Sequence, residues 1–254
     1  MRVRPAAAAA LLALLVLAGC TDRARPPASP PSGAAAPSGG SATAAQEFTA
    51  ALDTLHTTSY RYAVTAPVSA SQTLHSEGAV DPAAPALTAT AAVPAARGTT
   101  AIDVVVTGTD LYLRYPPGFP LNGGQWLHVD GKRIALSKLG LVSATDPAGT
   151  ADYAKMVVSV ERDGDRHYKG TLDLTKSSRF AVEAKALGDK ATAVPFEATT
   201  DDRHRLVSLT VTTTSGGKDV PVVTAFSDYG TKVDAAKPAG AVEAPDALYK
   251  ALGA

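Results

Sequence analysis

The sequence predicts an α+β domain: one antiparallel sheet of about ten strands, with two or three helices covering one of its faces. Three observations predict it. Runs of alternating apolar and polar residues recur from residue 60 onward, joined mostly by short turns rich in Gly, Asp and Pro. Consecutive hairpins of that kind pair antiparallel. Two segments, 44–56 and 178–187, instead repeat their apolar residues at helical spacing, and helices set among hairpins imply one covered sheet face.

The first helix is announced by Thr43 and Gln46, a capping-box pair, and carries Phe48, Leu52 and Leu55 on one face before Thr57-Thr58-Ser59 ends it. Strands are expected at 60–67, 73–80, 86–93 and 100–107, with Asp81-Pro82 and Arg97-Gly98 as breaks. Gly108-Thr109-Asp110 then turns the chain into a strand at 111–115, the clearest hairpin in the sequence. Pro116-Pro117-Gly118-Phe119-Pro120 stops that strand, because proline supplies no ladder donor. A short strand at 125–129 precedes a helix-like patch at 132–141 and a helical turn near 151–155. Strands resume at 156–162 and 166–174 around Asp163-Gly164. After the 178–187 helix, which Gly188 stops, come strands at 193–199, 206–213 and 220–229, turned at Asp201-Asp202 and Gly216-Gly217. Residues 237–245 read as extended and loop-like, and 247–252 as a last helical turn. No internal repeat of fixed period is present.

Ahead of the domain, the chain is organised by Leu17-Ala18-Gly19-Cys20, which holds the only cysteine of its 254 residues. A basic start (Arg2, Arg4) and a short apolar run to Ala18 form a signal peptide over residues 1–19. Small residues directly before the cysteine resemble a bacterial lipobox, which implies that Cys20 receives a diacylglycerol and becomes the new N-terminus. Two acyl chains anchor a protein stably where one does not. The expected location is therefore the cell membrane, lipid-anchored on its extracytoplasmic face. With no second cysteine, no internal disulfide can form, and the domain folds on its core alone. Residues 20–43 are rich in Pro, Ser, Gly and Ala without apolar periodicity, and read as a tether of roughly 25–30 Å r.m.s. span. The domain itself occupies 44–254.

Charge narrows the function. Arg2, Arg4, Arg23, Arg25 and Asp22 all precede residue 46, and beyond it 20 basic residues face 23 acidic ones, a balance of −3. A nucleic-acid role would need a basic patch, and none is visible. The five histidines are scattered without metal-ligand spacing, and no G-x-S-x-G elbow occurs. Asp201-Asp202-Arg203-His204 is the densest polar cluster and reads as a solvated turn between strands. Ser215-Gly216-Gly217-Lys218 matches a bare S-x-x-K, but its glycines and the missing companion motifs make it a hairpin turn. No catalytic residue, metal or cofactor is expected.

The body of the chain, roughly 44–245, resembles the actinobacterial lipoproteins of the LppX/LprG type, which share the fold of the LolA lipoprotein carriers. The residues that carry the likeness are Ser59-Tyr60-Arg61-Tyr62 after the first helix, and the Gly108-Thr109-Asp110-Leu111-Tyr112-Leu113 hairpin with the Trp126 strand. The ending Phe226-Ser227-Asp228-Tyr229-Gly230-Thr231-Lys232-Val233 is the third. The resemblance implies a strongly curved half-barrel whose concave face is covered by helices, and a lipid or glycolipid held non-covalently between them. A membrane transporter is a further candidate partner. On this reading Val104, Val106, Leu111, Leu113, Leu209 and Val222 line an apolar space, with Tyr115, Phe119 and Trp126 at its rim. Plain packing is open for the rim residues, and alanine-rich coding is open as the reason the strands carry small side chains. The other functional class is a tethered interaction or sensing module with a filled core, docking on a membrane protein.

Overall fold

A computed structural model describes residues 39–69, 71–95, 98–120, 122–134 and 151–251. Helix α1 (Gly39–Thr57) is the element against which one flank of the sheet closes. Its buried residues Ala44, Phe48, Ala51, Leu52 and Leu55 fall at helical spacing on a single stripe. Phe48 stacks on Phe196 with ring centroids 4.8 Å apart and tilts against Tyr168 at 6.1 Å. On the preceding residue, the Glu47 carboxylate takes the Tyr168 hydroxyl at 2.9 Å and pairs with Arg162. The helix begins before the expected 44–56, so Thr43 lies inside it rather than at its cap. Gly39, Gly40 and Ser41 have no apolar periodicity, which is why the first turn escaped the pattern.

Among the described residues twelve strands form one sheet. They are β1 (Tyr60–Ser69), β2 (Gln72–Asp81), β3 (Ala86–Ala95), β4 (Gly98–Thr107), β5 (Asp110–Arg114) and β6 (Trp126–Val129). The second half comprises β7 (Val157–Arg162), β8 (His167–Leu172), β9 (Val194–Thr200), β10 (Leu206–Ser215), β11 (Lys218–Ser227) and β12 (Val242–Glu243). Across the sheet their order is β12-β6-β5-β4-β3-β2-β1-β11-β10-β9-β8-β7. Eleven neighbours in the chain pattern match expected strands. The twelfth, β12, lies in the stretch read as loop and pairs parallel with β6, Val242 opposite Leu127 and Glu243 opposite His128. Two residues cannot show an alternation, so the expected count of about ten was low. All other pairings are antiparallel.

Laid flat, twelve strands would span roughly 50 Å. Yet one continuous apolar core holds Leu111, Leu127 and Val129 from one flank together with Tyr168, Leu172 and Phe196 from the other. The sheet is therefore strongly curved and open, with its core on the inner face. Helices lie on that face: α1, then α2 (Ala151–Met156), α3 (Ala181–Leu187) and α4 (Asp246–Ala251). The expected 178–187 helix starts with a 3-10 turn at Ser178–Phe180, because the Ser177 hydroxyl accepts from the Arg179 N–H and tightens that turn. Its Phe180, Ala184 and Leu187 pack half-buried against the core. Of the expected 132–141 helix, only residues up to Ile134 are described, as a turn with Ile134 buried. The rest lies outside the described residues, as do Cys20 and the signal and tether up to residue 38.

Candidate functional site

Register decides which side chains meet. Opposite Val106 stand Leu111 on β5 and Leu87 on β3, and the row continues through Val80 to Tyr60. The next row runs Leu113, Val104, Ala89, Gly78, Tyr62 and Phe226. Beyond β1 the same face passes through Thr224 to Leu209, and through Val222 to Val211. All six residues expected to line an apolar space thus share the inner face. They do not share a depth. Val106, Leu111, Leu113 and Leu209 are buried in the core, whereas Val104 and Val222 are half-buried.

That difference divides the inner face. Toward the β5–β6 flank large side chains fill it. Around its middle and toward the far ends of β3 and β4, the side chains are small: Ala89, Ala91, Val93 and Val104 on those strands, and Val211 with Val222 on β10 and β11, all partly accessible. Gly78 belongs to this zone. A Cβ there would strike the Thr88 carbonyl and touch the Tyr62 ring, so glycine lets that ring lie across β2.

Polar groups border the small-residue zone. Burial raises the phenol of Tyr62 above its ordinary value, with a Ser76 hydrogen bond and the Arg179 charge acting the other way. Tyr153 of α2 is raised by burial too, against the pull of Arg179, and its ring meets Phe180 at 6.2 Å. Glu183 is raised, again by burial first. Tyr62, Tyr153, Arg179 and Glu183 come together only through the fold. The sole sequence signal was the spacing of Arg179 and Glu183 four residues apart on a helical segment.

The expected rim separates. Tyr115 and Phe119 stack on each other, ring centroids 4.5 Å apart and 7° from parallel, within a loop closed by the Gly124 N–H donating to the Tyr115 carbonyl. Trp126 instead stands opposite Arg114 on the outer face, with the guanidinium 4.8 Å from its ring centroid. The reason is parity: Leu127 and Val129 point inward, so Trp126 cannot. The outer face there carries a shallow groove of about 540 Å³ whose walls include Arg61, Glu77, Asp103, Arg114 and Trp126. Asp103 is fixed in it by Thr90 at 2.9 Å and by two bonds from Arg114 at 2.9 and 2.7 Å.

The two polar motifs serve turns. Asp201 accepts from the backbone N–H groups of Arg203 and Arg205 and from the Arg205 side chain. Gly216 and Gly217, both at positive φ, carry the chain from Ser215 to its partner Lys218. Among the described residues no group of three or more potential ligands could hold a metal, and no helix is long and apolar enough to cross a membrane.

Fold and site together define a helix-covered, open antiparallel half-barrel with an apolar inner face. No family model matches the chain, and no curated protein matches it. Among solved structures it is similar to a LolA superfamily protein from Nitrosomonas europaea, at 14% identity and a TM-score of 0.26, over 79% of this chain and 96% of that one. It is also similar to a DUF1329 family protein from Desulfovibrio piger, at 12% identity and a TM-score of 0.25, over 78% and 95%.

Proposed function

We propose that this chain is an extracytoplasmic lipoprotein, acylated at Cys20, that binds an acyl-bearing lipid or glycolipid on the inner face of its half-barrel and carries or presents it. The domain would belong with the LolA-like carriers, of the LppX/LprG type. The observation that supports this is the zone of small, partly accessible apolar side chains, Ala89, Ala91, Val93, Val104, Val211 and Val222, that continues the filled core. Each methylene buried there contributes about 0.8 kcal/mol, so a long chain binds with few polar contacts. Tyr62, Tyr153 and Arg179 stand at the border of that zone, where a headgroup would need partners. No covalent chemistry is required.

The test is mass spectrometry of the full chain from a diderm or actinobacterial host, together with its organic extract. The expected result is a diacylglycerol adduct lost in C20S, and an acyl lipid in the extract lost in V104F and V222F, both of which fill the half-buried zone. Folded protein without lipid, and with none taken up from membranes, would refute the carrier reading. That outcome would favour a tethered interaction module instead, which the polar outer groove around Asp103, Arg114 and Trp126 supports.

A further inference from the structure

The C-terminal segment crosses the β5–β6 flank as a strap. It consists of β12, Ala244 and α4, and its buried residues Ala244, Leu248 and Tyr249 complete the core beside Leu127 and Val129. Its backbone hold on the sheet is small: two residues of parallel pairing and the Ala244 N–H donating to the His128 carbonyl at 2.8 Å. Its polar hold is shared between Arg133, the Asp130 N–H and one imidazole that bridges strap and sheet. His128 Nδ1 lies 2.9 Å from the Glu243 carboxylate on the strap, and Nε2 lies 3.0 Å from the Asp110 carboxylate on β5.

This arrangement has a chemical requirement. A carboxylate offers only lone pairs, so an imidazole bonded to two carboxylates must carry both N–H protons and a positive charge. A neutral ring has one N–H, and one of the two contacts then becomes lone pair against lone pair. Whichever contact fails, the strap loses the charge that joins Glu243 to Asp110. We propose that His128 is the pH-sensitive latch of this strap.

The surroundings agree. On β5, Asp110 bonds the ring, and the Tyr112 ring stacks on it at 5.0 Å. From the strap come Glu243, Asp246, Tyr249 and Lys250. The Tyr249 hydroxyl donates to Glu243 at 2.5 Å and accepts the Asp130 N–H at 2.8 Å. Arg133 pairs with Asp246 at 2.7 Å, reaches Glu243 at 3.6 Å and covers the Tyr249 ring. Burial alone would lower the His128 pKa, but the bonds to Asp110 and Glu243 outweigh it and hold it above the ordinary value. A raised pKa in the latched form means that the stabilisation is complete below the ordinary histidine range of about 6.5, and is lost as pH rises through the latched value. The burial of Leu248 and Tyr249 does not titrate with His128, so the strap loosens rather than leaves.

One readout on the full chain tests this. Hydrogen exchange of residues 242–251, corrected for intrinsic rate, should lose protection by up to about tenfold per pH unit as the ring neutralises. Protection of β9 and β10 should stay constant. H128Q should be weakly protected and flat with pH, and E243Q gives the same comparison should H128Q fold poorly. Equal pH dependence in wild type and both variants, or none in wild type, overturns the latch.

Discussion

Replacing Phe48 with alanine should cost this fold about 4 kcal/mol. Phe48 is 1% exposed, stacks on Phe196, tilts against Tyr168, and is the largest apolar side chain that α1 gives the core. Truncating a ring in such a site removes its transfer free energy and leaves a cavity, typically 3–5 kcal/mol together. Loss of the stacked aromatic pair lies within that range rather than on top of it. For a domain of about 200 residues each kcal/mol moves the melting temperature by about 2–4 °C, so F48A should melt about 8–16 °C lower. Far-UV circular dichroism would follow the sheet, while the fluorescence of Trp126, the chain's single tryptophan, reports from the opposite flank. Both probes should shift together, because one core joins the flanks. A loss below about 1 kcal/mol would refute the reasoning, since a ring enclosed by two aromatic neighbours cannot be removed so cheaply. E47Q is the matched control. Its bonds to Arg162 and Tyr168 are partly exposed, and its effect should stay within about 1 kcal/mol.

Two further outcomes are expected. G78A should destabilise by more than about 2 kcal/mol in urea denaturation, because the new methyl meets the Thr88 carbonyl and the Tyr62 ring and neither can retreat without breaking the β2–β3 ladder. Asp201 has a depressed pKa: burial raises it, but the Arg205 side chain and the N–H groups of Arg205 and Arg203 prevail and hold it below the ordinary carboxylate value. Its stabilisation is therefore present above about pH 4 and lost as pH falls through the depressed value. D201N should cost about 1 kcal/mol at pH 7, with the gap from wild type closing in acid denaturation.

Most of the sheet was legible because its strands are long enough to alternate. β4 and β5 announced themselves by Ile102, Val104 and Val106 against Leu111 and Leu113, and the pairing that joins them is the one the Gly108 turn dictates. What escaped did so for identifiable reasons. β12 is too short to have a period, and the first turn of α1 has no apolar stripe to show. Trp126 does not join Tyr115 and Phe119 at a rim, because the inward pointing of Leu127 and Val129 assigns it to the other face. The six inner-face positions were readable from parity alone, but their unequal depth was not, because depth depends on which helix or strap covers each row. Nor could spacing reveal Tyr62, Tyr153 and Arg179 as neighbours, or His128 between Asp110 and Glu243, separated by 18 and 115 residues from its partners.

An open sheet keeps two edges, and here both resist extension by a neighbouring molecule. At one, the covering strand is two residues long, too little ladder to template another chain. At the other, β7 changes register between Val157 and Ser159, and it follows that irregularity with the exposed Glu161 and Arg162. Val158, 54% exposed, is the one large apolar side chain this edge offers to solvent, and it sits at the break in the ladder. A broken ladder and a charged end are what keep flat edges from joining. An open sheet with two long, regular edges would instead offer templates for stacking edge to edge into fibres.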